Sequence, residues 1–151
     1  MNWQPEVTVA AVIERERRFL IVEERIRSRA VLNQPAGHVE RGESLLAAVT
    51  RETLEESAWQ FTPEWLTGIY LWRQPGDGCD TLRFTFSGSI AAHDPTRALD
   101  HPVIATHWLT RDELLARAAA LRTPVVMRSI DDYLAGQRLP LSAIGEFGTS
   151  A

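Results

Sequence analysis

The chain has 151 residues, 44% hydrophobic and 24% charged, which fits one globular domain over 1–151 with enough length to bury a core. A net charge of −4 excludes a general nucleic-acid binder, which needs a basic face, and a single cysteine, Cys79, excludes an internal disulfide and a cysteine-based zinc site. The N-terminus lacks the layout of a signal peptide and no apolar run approaches the ~20 residues that span a bilayer, so a cytoplasmic protein with no membrane partner is expected.

In chain order, Val7 to Ile13 and Phe19 to Val22 are β-rich runs, and the charged stretch Glu14–Arg18 between them predicts a hairpin. Ala30 to Gln34 predicts a short strand entering the bend Pro35-Ala36-Gly37. Ser44 predicts the N-cap of a helix from Leu45 to about Ser57. Phe61 to Arg73 and Leu82 to Ile90 read as strands, the second from its alternation of Leu82, Phe84 and Phe86, and Ala105 to Leu109 as a further short one. Thr110 with Glu113 forms a capping box ahead of Leu114-Leu115. Thr123 then precedes Pro124 at a first-helical position, with Gly136 as the stop. Strands, a helix, strands and two helices in that order define an α+β domain with a mixed sheet held between helices.

The chemistry concentrates in Arg51-Glu52-Thr53-Leu54-Glu55-Glu56. On a helix, Glu52, Glu55 and Glu56 fall within about 100° of the circumference, and like charges one turn apart cost roughly 0.2–0.5 kcal/mol per pair. Taken alone, such a turn is a solvated face. A hard divalent cation would also neutralise it, because Mg²⁺ takes oxygen ligands shared among carboxylates, waters and substrate phosphates.

The flanking pattern favours the cation. Gly37, Glu43, Arg51-Glu52 and Glu55-Glu56, within Gly37 to Trp59, together resemble the signature box of the Nudix hydrolases. Thr53 stands where that family prefers an aliphatic residue, and Ala58 where it has glycine. The resemblance implies an α/β/α sandwich and hydrolysis of phosphoric anhydride bonds with Mg²⁺, or Mn²⁺ in its place. The implied metal ligands are Glu52, Glu55, Glu56 and a backbone carbonyl of Ala36 or Gly37. Arg51 reads either as a surface partner of Glu43 or Glu55 or, within the motif, as the fork that orients a carboxylate. Glu52 is the first candidate for the general base; Asp100, in Leu99-Asp100-His101-Pro102, is the loop alternative, with Asp94 behind it.

Further stretches widen the resemblance to the phosphatase NudJ group: Val7 to Ala10, Phe19 to Glu24, Asn33 to His38 and Gly136 to Leu141 with Ile144-Gly145. That group implies release of phosphate from hydroxymethylpyrimidine pyrophosphate, thiamine pyrophosphate and nucleoside di- and triphosphates. Candidate substrate contacts are Gln34, His38, Glu24 and Trp72, the last as a ring for stacking and His38, with His107, to polarise phosphate oxygens. The alternatives are a pyrophosphatase for ADP-ribose or another nucleoside diphosphate derivative, and a module that binds a nucleotide-type ligand without hydrolysing it. Loops around Arg25 to Arg29 and Gln74 to Asp80 are expected to set the leaving group. The expected partner is a small phosphorylated substrate, and the expected state a monomer or small homo-oligomer.

Overall fold

The computed structural model describes residues 2–76 and 78–148, so the expected span 1–151 and the loop Gln74 to Asp80 extend in part outside the described residues. Strand β1 (Glu6–Val12) is the middle of the molecule. It pairs antiparallel with β5 (Ala36–His38) on one edge and parallel with β7 (Thr81–His93) on the other. Antiparallel to β7 runs the long β6 (Trp59–Trp72), whose outer edge carries the short β9 (Leu139–Pro140). This is the expected mixed sheet, in the order β5-β1-β7-β6-β9.

A second sheet, antiparallel throughout, centres on β3 (Arg18–Ile26). One edge of β3 takes β2 (Glu14–Arg15) and β4 (Arg29–Asn33), and the other takes β8 (Val103–Thr110). The two N-terminal runs therefore do not pair as one hairpin, contrary to the sequence reading. Val9 to Ile13 are 0–1% exposed, and both edges of β1 are occupied by β5 and β7, which leaves no edge for β3. The chain instead changes sheets at Ile13, and only Glu14–Arg15 pairs with β3, around a turn at Glu16 and Arg17 with φ of 51° and 63°.

Helix α1 (Leu45–Ser57) starts at the predicted cap, where Ser44 Oγ accepts the Ala47 N–H at 3.0 Å. Its buried face of Leu45, Ala48 and Val49 packs on Val9, Ala11, Phe61, Leu66 and Phe86. Alternate residues of a strand point to opposite faces, so Val12 of β1 looks the other way. There Val12, Phe19 and Ile21 pack against Leu114 of α2 (Arg111–Ala116) and Val126 and Ile130 of α3 (Val125–Leu134). Helices thus cover both sides of the strands, giving the α/β/α sandwich. The Thr110–Glu113 capping box is formed, and Thr123 Oγ1 accepts the Val125 N–H at 2.8 Å where α3 begins. Among the described residues no helix is long and apolar enough to cross a membrane.

Ala58 ends α1 in the left-handed region, φ 61° and ψ 17°, donating its N–H to Leu54 O at 2.9 Å. Glycine takes this conformation freely, whereas a Cβ costs about 1 kcal/mol. Ala58→Gly is accordingly expected to stabilise the protein by about 1 kcal/mol in urea unfolding, with the midpoint raised and the slope unchanged.

Candidate active site

The acidic face of α1 meets β5 at Gly37. A Cβ there would run into the Glu52 carboxyl, which lies directly on the Gly37 backbone. One turn further along, Glu56 is 9% exposed and its Oε2 accepts the Ala36 N–H at 3.1 Å. The bend read from sequence as Pro35-Ala36-Gly37 therefore presses backbone against two of the three motif carboxylates.

Arg51 joins both of its sequence readings in one arrangement. Its Nε and Nη2 donate to the two carboxylate oxygens of Glu43 at 2.7 and 3.0 Å. Its Nη1 donates to Glu52 Oε1 at 2.9 Å and Glu55 Oε2 at 3.1 Å, while Nη2 also reaches the His38 carbonyl at 3.1 Å. The planar fork therefore ties the helix to the preceding loop and to the end of β5, which a lysine ammonium would not span. The hydrogen bond from Arg51 holds Glu43 below the ordinary carboxylate range, and that same pair pushes Arg51 upward. Glu52 moves the other way: burial raises it, and the Arg51 hydrogen bond only partly opposes that. Burial dominates most at Glu56, pushed up to about 9 despite the Ala36 N–H.

Glu52 and Glu56 open onto a cavity of about 800 Å³. Ala36, Gly37 and His38 line the same side, and Trp72 and Gln74 stand at the end of β6. Glu24, buried in β3, lines it as well and pairs with Arg122 at 2.7 Å. Arg27 and Arg29 enter from the β3–β4 hairpin, so the two loops expected to meet the leaving group both contribute.

Of the sequence candidates, Gln34, Asp94, Asp100 and His107 lie outside the cavity lining, as do Arg51 and Glu55 of the motif. Gln34, expected to touch substrate, is 1% exposed and absent from the cavity wall; its amide donates to Ser129 Oγ at 2.9 Å and accepts from Arg83 at 2.7 Å. Its side chain is spent on joining β4 to α3. Asp100 is exposed and outside the lining, and its backbone N–H donates to Glu55 O at 2.9 Å at the end of α1. Asp94 forms a turn, accepting the Thr96 N–H at 3.0 Å. His107 pairs with Glu23 at 3.0 Å, and His38 with Glu6 at 2.9 Å.

Arg83 and Arg122 went unread in the sequence. Arg83 is 5% exposed yet lines the cavity, and its Nη2 donates to Asn33 Oδ1 at 3.2 Å and Gln34 Oε1 at 2.7 Å. The one signal was its place in the strand run Thr81-Leu82-Arg83-Phe84-Thr85-Phe86, where a charge interrupts an apolar stretch.

The donor set fits a hard divalent cation: carboxylates partly withdrawn from water, beside backbone that glycine brings close. Among the described residues no three His, Cys, Asp or Glu side chains converge on one point. Arg51 draws Glu52 and Glu55 and Ala36 draws Glu56, so the fit is one of donor chemistry, and the side chains must rotate to meet an ion.

Fold and site together define a Nudix hydrolase, and the NUDIX domain family model matches residues 4–129: the chain belongs to this family. Members act on small phosphorylated substrates and generally use divalent metal ions. The chain is similar to the phosphatase NudJ of Escherichia coli (strain K12) and of Shigella sonnei (strain Ss046). Each is 40% identical over 145 residues, covering 96% of this chain and 94% of the relative. A NUDIX hydrolase from Nitrosomonas europaea superposes with a TM-score of 0.93 at 49% identity, over 97% of this chain and 100% of that one.

The burial of Glu56 yields a prediction with opposite signs for stability and activity. A carboxyl whose folded pKa is raised to about 9 contributes its stability below the unfolded value near 4.3 and loses it as pH rises through 9. In chelator-treated protein at pH 7–8, Glu56→Gln removes that penalty while keeping an oxygen for the Ala36 N–H. A melting temperature several degrees above wild type is expected, together with the loss of most metal-dependent turnover; a lower melting temperature in chelator would contradict it.

Proposed function

We propose that this chain is a Mg²⁺-dependent Nudix phosphohydrolase that releases phosphate from hydroxymethylpyrimidine pyrophosphate, thiamine pyrophosphate and nucleoside di- and triphosphates, acting as a single cytoplasmic domain. One observation carries the reading: the desolvated carboxylates Glu52 and Glu56 and the indole of Trp72 line the same cavity of about 800 Å³. One part suits a metal-bound diphosphate and the other a flat ring. The 40%-identical NudJ relatives are phosphatases, which supports the bond type. An ADP-ribose pyrophosphatase from Streptococcus suis shares the fold at 15% identity and a TM-score of 0.65, which leaves substrate choice to the loops.

Glu52, Glu55, Glu56 and the carbonyl of Ala36 or Gly37 would hold the ion. When bound, such an ion neutralises phosphate oxygens that otherwise repel an attacking water. The chain's own groups do the rest. Burial gives Glu52 more proton affinity than an exposed carboxylate has, which suits a group that must take a proton from water. Arg51 fixes the Glu52 and Glu55 carboxylates from one side, and Gly37 leaves Glu52 room on the other. Trp72 offers its ring face for a pyrimidine or thiazolium to stack on.

A panel of phosphorylated pyrimidines, thiamine pyrophosphate, nucleotides and ADP-ribose, scored by kcat/KM with Mg²⁺ or Mn²⁺, tests the substrate class. Absence of hydrolysis of every member, read by product analysis as well as phosphate release, would leave a binding module. Rate loss alone cannot separate base from metal ligand, because a general base contributes ~10²–10⁴-fold and lost ligands cost as much. Glu52→Gln is expected to cut kcat in that range while the Mg²⁺ activation constant barely moves. Glu55→Gln and Glu56→Gln are expected to weaken Mg²⁺ activation, with partial recovery at high metal. Should Asp100→Asn lose a hundredfold in kcat while Glu52→Gln recovers with added Mg²⁺, the base belongs to the loop. Trp72→Ala is expected to raise KM for pyrimidine substrates more than for inorganic pyrophosphate-like ones, which have no ring to stack; an equal rise for both would reduce Trp72 to packing.

A further inference from the structure

The cavity wall also contains donors that find no partner among the described residues. Arg83 sits on β7 beside Thr8 of β1, the two being register partners in the parallel pair, so their side chains share one face of the sheet. Both line the cavity, Arg83 at 5% and Thr8 at 9% exposure. The Arg83 guanidinium is fastened by Nη2 alone, whose two hydrogens go to Asn33 and Gln34. Its Nε is buried without a partner, and Nη1 makes no hydrogen bond among the described residues. Thr8 Oγ1 is likewise buried without a partner. Buried polar atoms are nearly always paired, and an orphaned charged donor is among the costliest exceptions. Of the unpartnered polar groups among the described residues, Arg83 and Thr8 are the ones whose residues line the cavity, where a ligand acceptor can approach. Arg122 stands on the same wall, already paired with Glu24, so the unspent positive charge falls to Arg83.

We propose that Arg83, through Nη1, together with the Thr8 hydroxyl, forms a subsite for the substrate phosphate that is not held at the α1 carboxylates. This deepens the hydrolase reading and rests on it. Asn33 and Gln34 act as positioning residues: they fix the guanidinium plane from behind, so that Nη1 faces the ligand without side-chain freedom to lose. Gln34 thereby regains a place in recognition, through another residue and without touching substrate. A cavity that holds both the α1 carboxylates and this subsite selects compounds with at least two phosphates, since a monophosphate satisfies only one of them.

Imidodiphosphate, a pyrophosphate analogue that resists hydrolysis, is the probe, titrated calorimetrically with Mg²⁺ present. Arg83→Lys keeps the charge that faces Glu56 but cannot hold two acceptors and a ligand in one plane. It is expected to bind the probe about 10- to 100-fold more weakly, the range of a lost charge-assisted hydrogen bond, with KM for diphosphates rising more than kcat falls. Thr8→Val, nearly isosteric, is expected to lose about 3- to 10-fold. In wild-type protein labelled at arginine, the Arg83 Nε–Hε resonance, assigned through its own backbone, is expected to move on adding the probe. A purely structural Arg83 would leave that resonance in place. Wild-type affinity in Arg83→Lys, or an unmoved Arg83 resonance at saturating probe, overturns the subsite; if the lysine variant does not fold, unchanged binding by Thr8→Val does so. A wild-type enzyme that hydrolyses no diphosphate with any divalent ion overturns the hydrolase reading instead, a result read without any variant.

Discussion

A carboxylate withdrawn from water needs a cation or a proton, and the docking of α1 on β5 withdraws two. The apolar side of the helix, Leu45, Ala48 and Val49, is committed to the core, which fixes its rotation and turns Glu52 and Glu56 toward β5 and the cavity. Like charges on one helical face, the weak point visible in the sequence, thus become a stored demand for positive charge. Arg51 meets part of it, with hydrogen bonds to Glu43, Glu52 and Glu55. Glu56 lies beyond its reach and has only an N–H donor, which is why burial governs its proton affinity. A divalent ion at this place would satisfy Glu56 in place of a proton.

The two sheets matter because the cavity needs both. β1 and β5 of the mixed sheet supply Thr8, Ala36 and Gly37, while β3 and the β3–β4 hairpin of the other supply Glu24, Arg27 and Arg29. Joining them is the segment after β4, where Asn33 and Gln34 reach Arg83, and the Arg122 N–H, which donates to Leu32 O at 2.8 Å. The cavity therefore lies along a seam between sheets, lined by Glu52 and Glu56 of α1 and by Glu24, Arg83 and Arg122.

Helix α1 and its chemistry were legible because three local signals agreed: the Ser44 cap, the apolar stripe and the carboxylate spacing. Sheet membership was not legible. Val7 to Ile13 and Phe19 to Val22 looked like partners because a turn joins them, and turn chemistry says nothing about whether an edge is free. Gln34 and Asp100 fall outside the cavity lining for a related reason. Each adjoins a motif in sequence, but Gln34 is turned toward Ser129 and Asp100 presents its backbone to α1. Arg83 was overlooked because alternating Leu82, Phe84 and Phe86 suggests a strand with one wet face. β7 lies between β1 and β6 under helices on both sides, so its polar register faces inward too.

That inward polar register explains how an arginine can be buried there. Thr85 and Ser87 follow Arg83 at alternate positions of β7, both nearly inaccessible and both with hydroxyls that have no partner among the described residues. Phe84 and Phe86, on the other register, belong to the apolar cluster under α1. One face of β7 is thus an oily core and the other a polar strip running from the cavity toward α3, where Ser129 takes the Gln34 amide. A guanidinium surrounded only by aliphatic groups would be driven to shed its charge, at a cost few folds survive. Along this strip burial lowers the Arg83 pKa only to about 10, well above neutrality, so it stays a cation. The strip gives up apolar packing between β7 and α3, and in exchange the fold keeps a fixed positive charge facing the acidic helix.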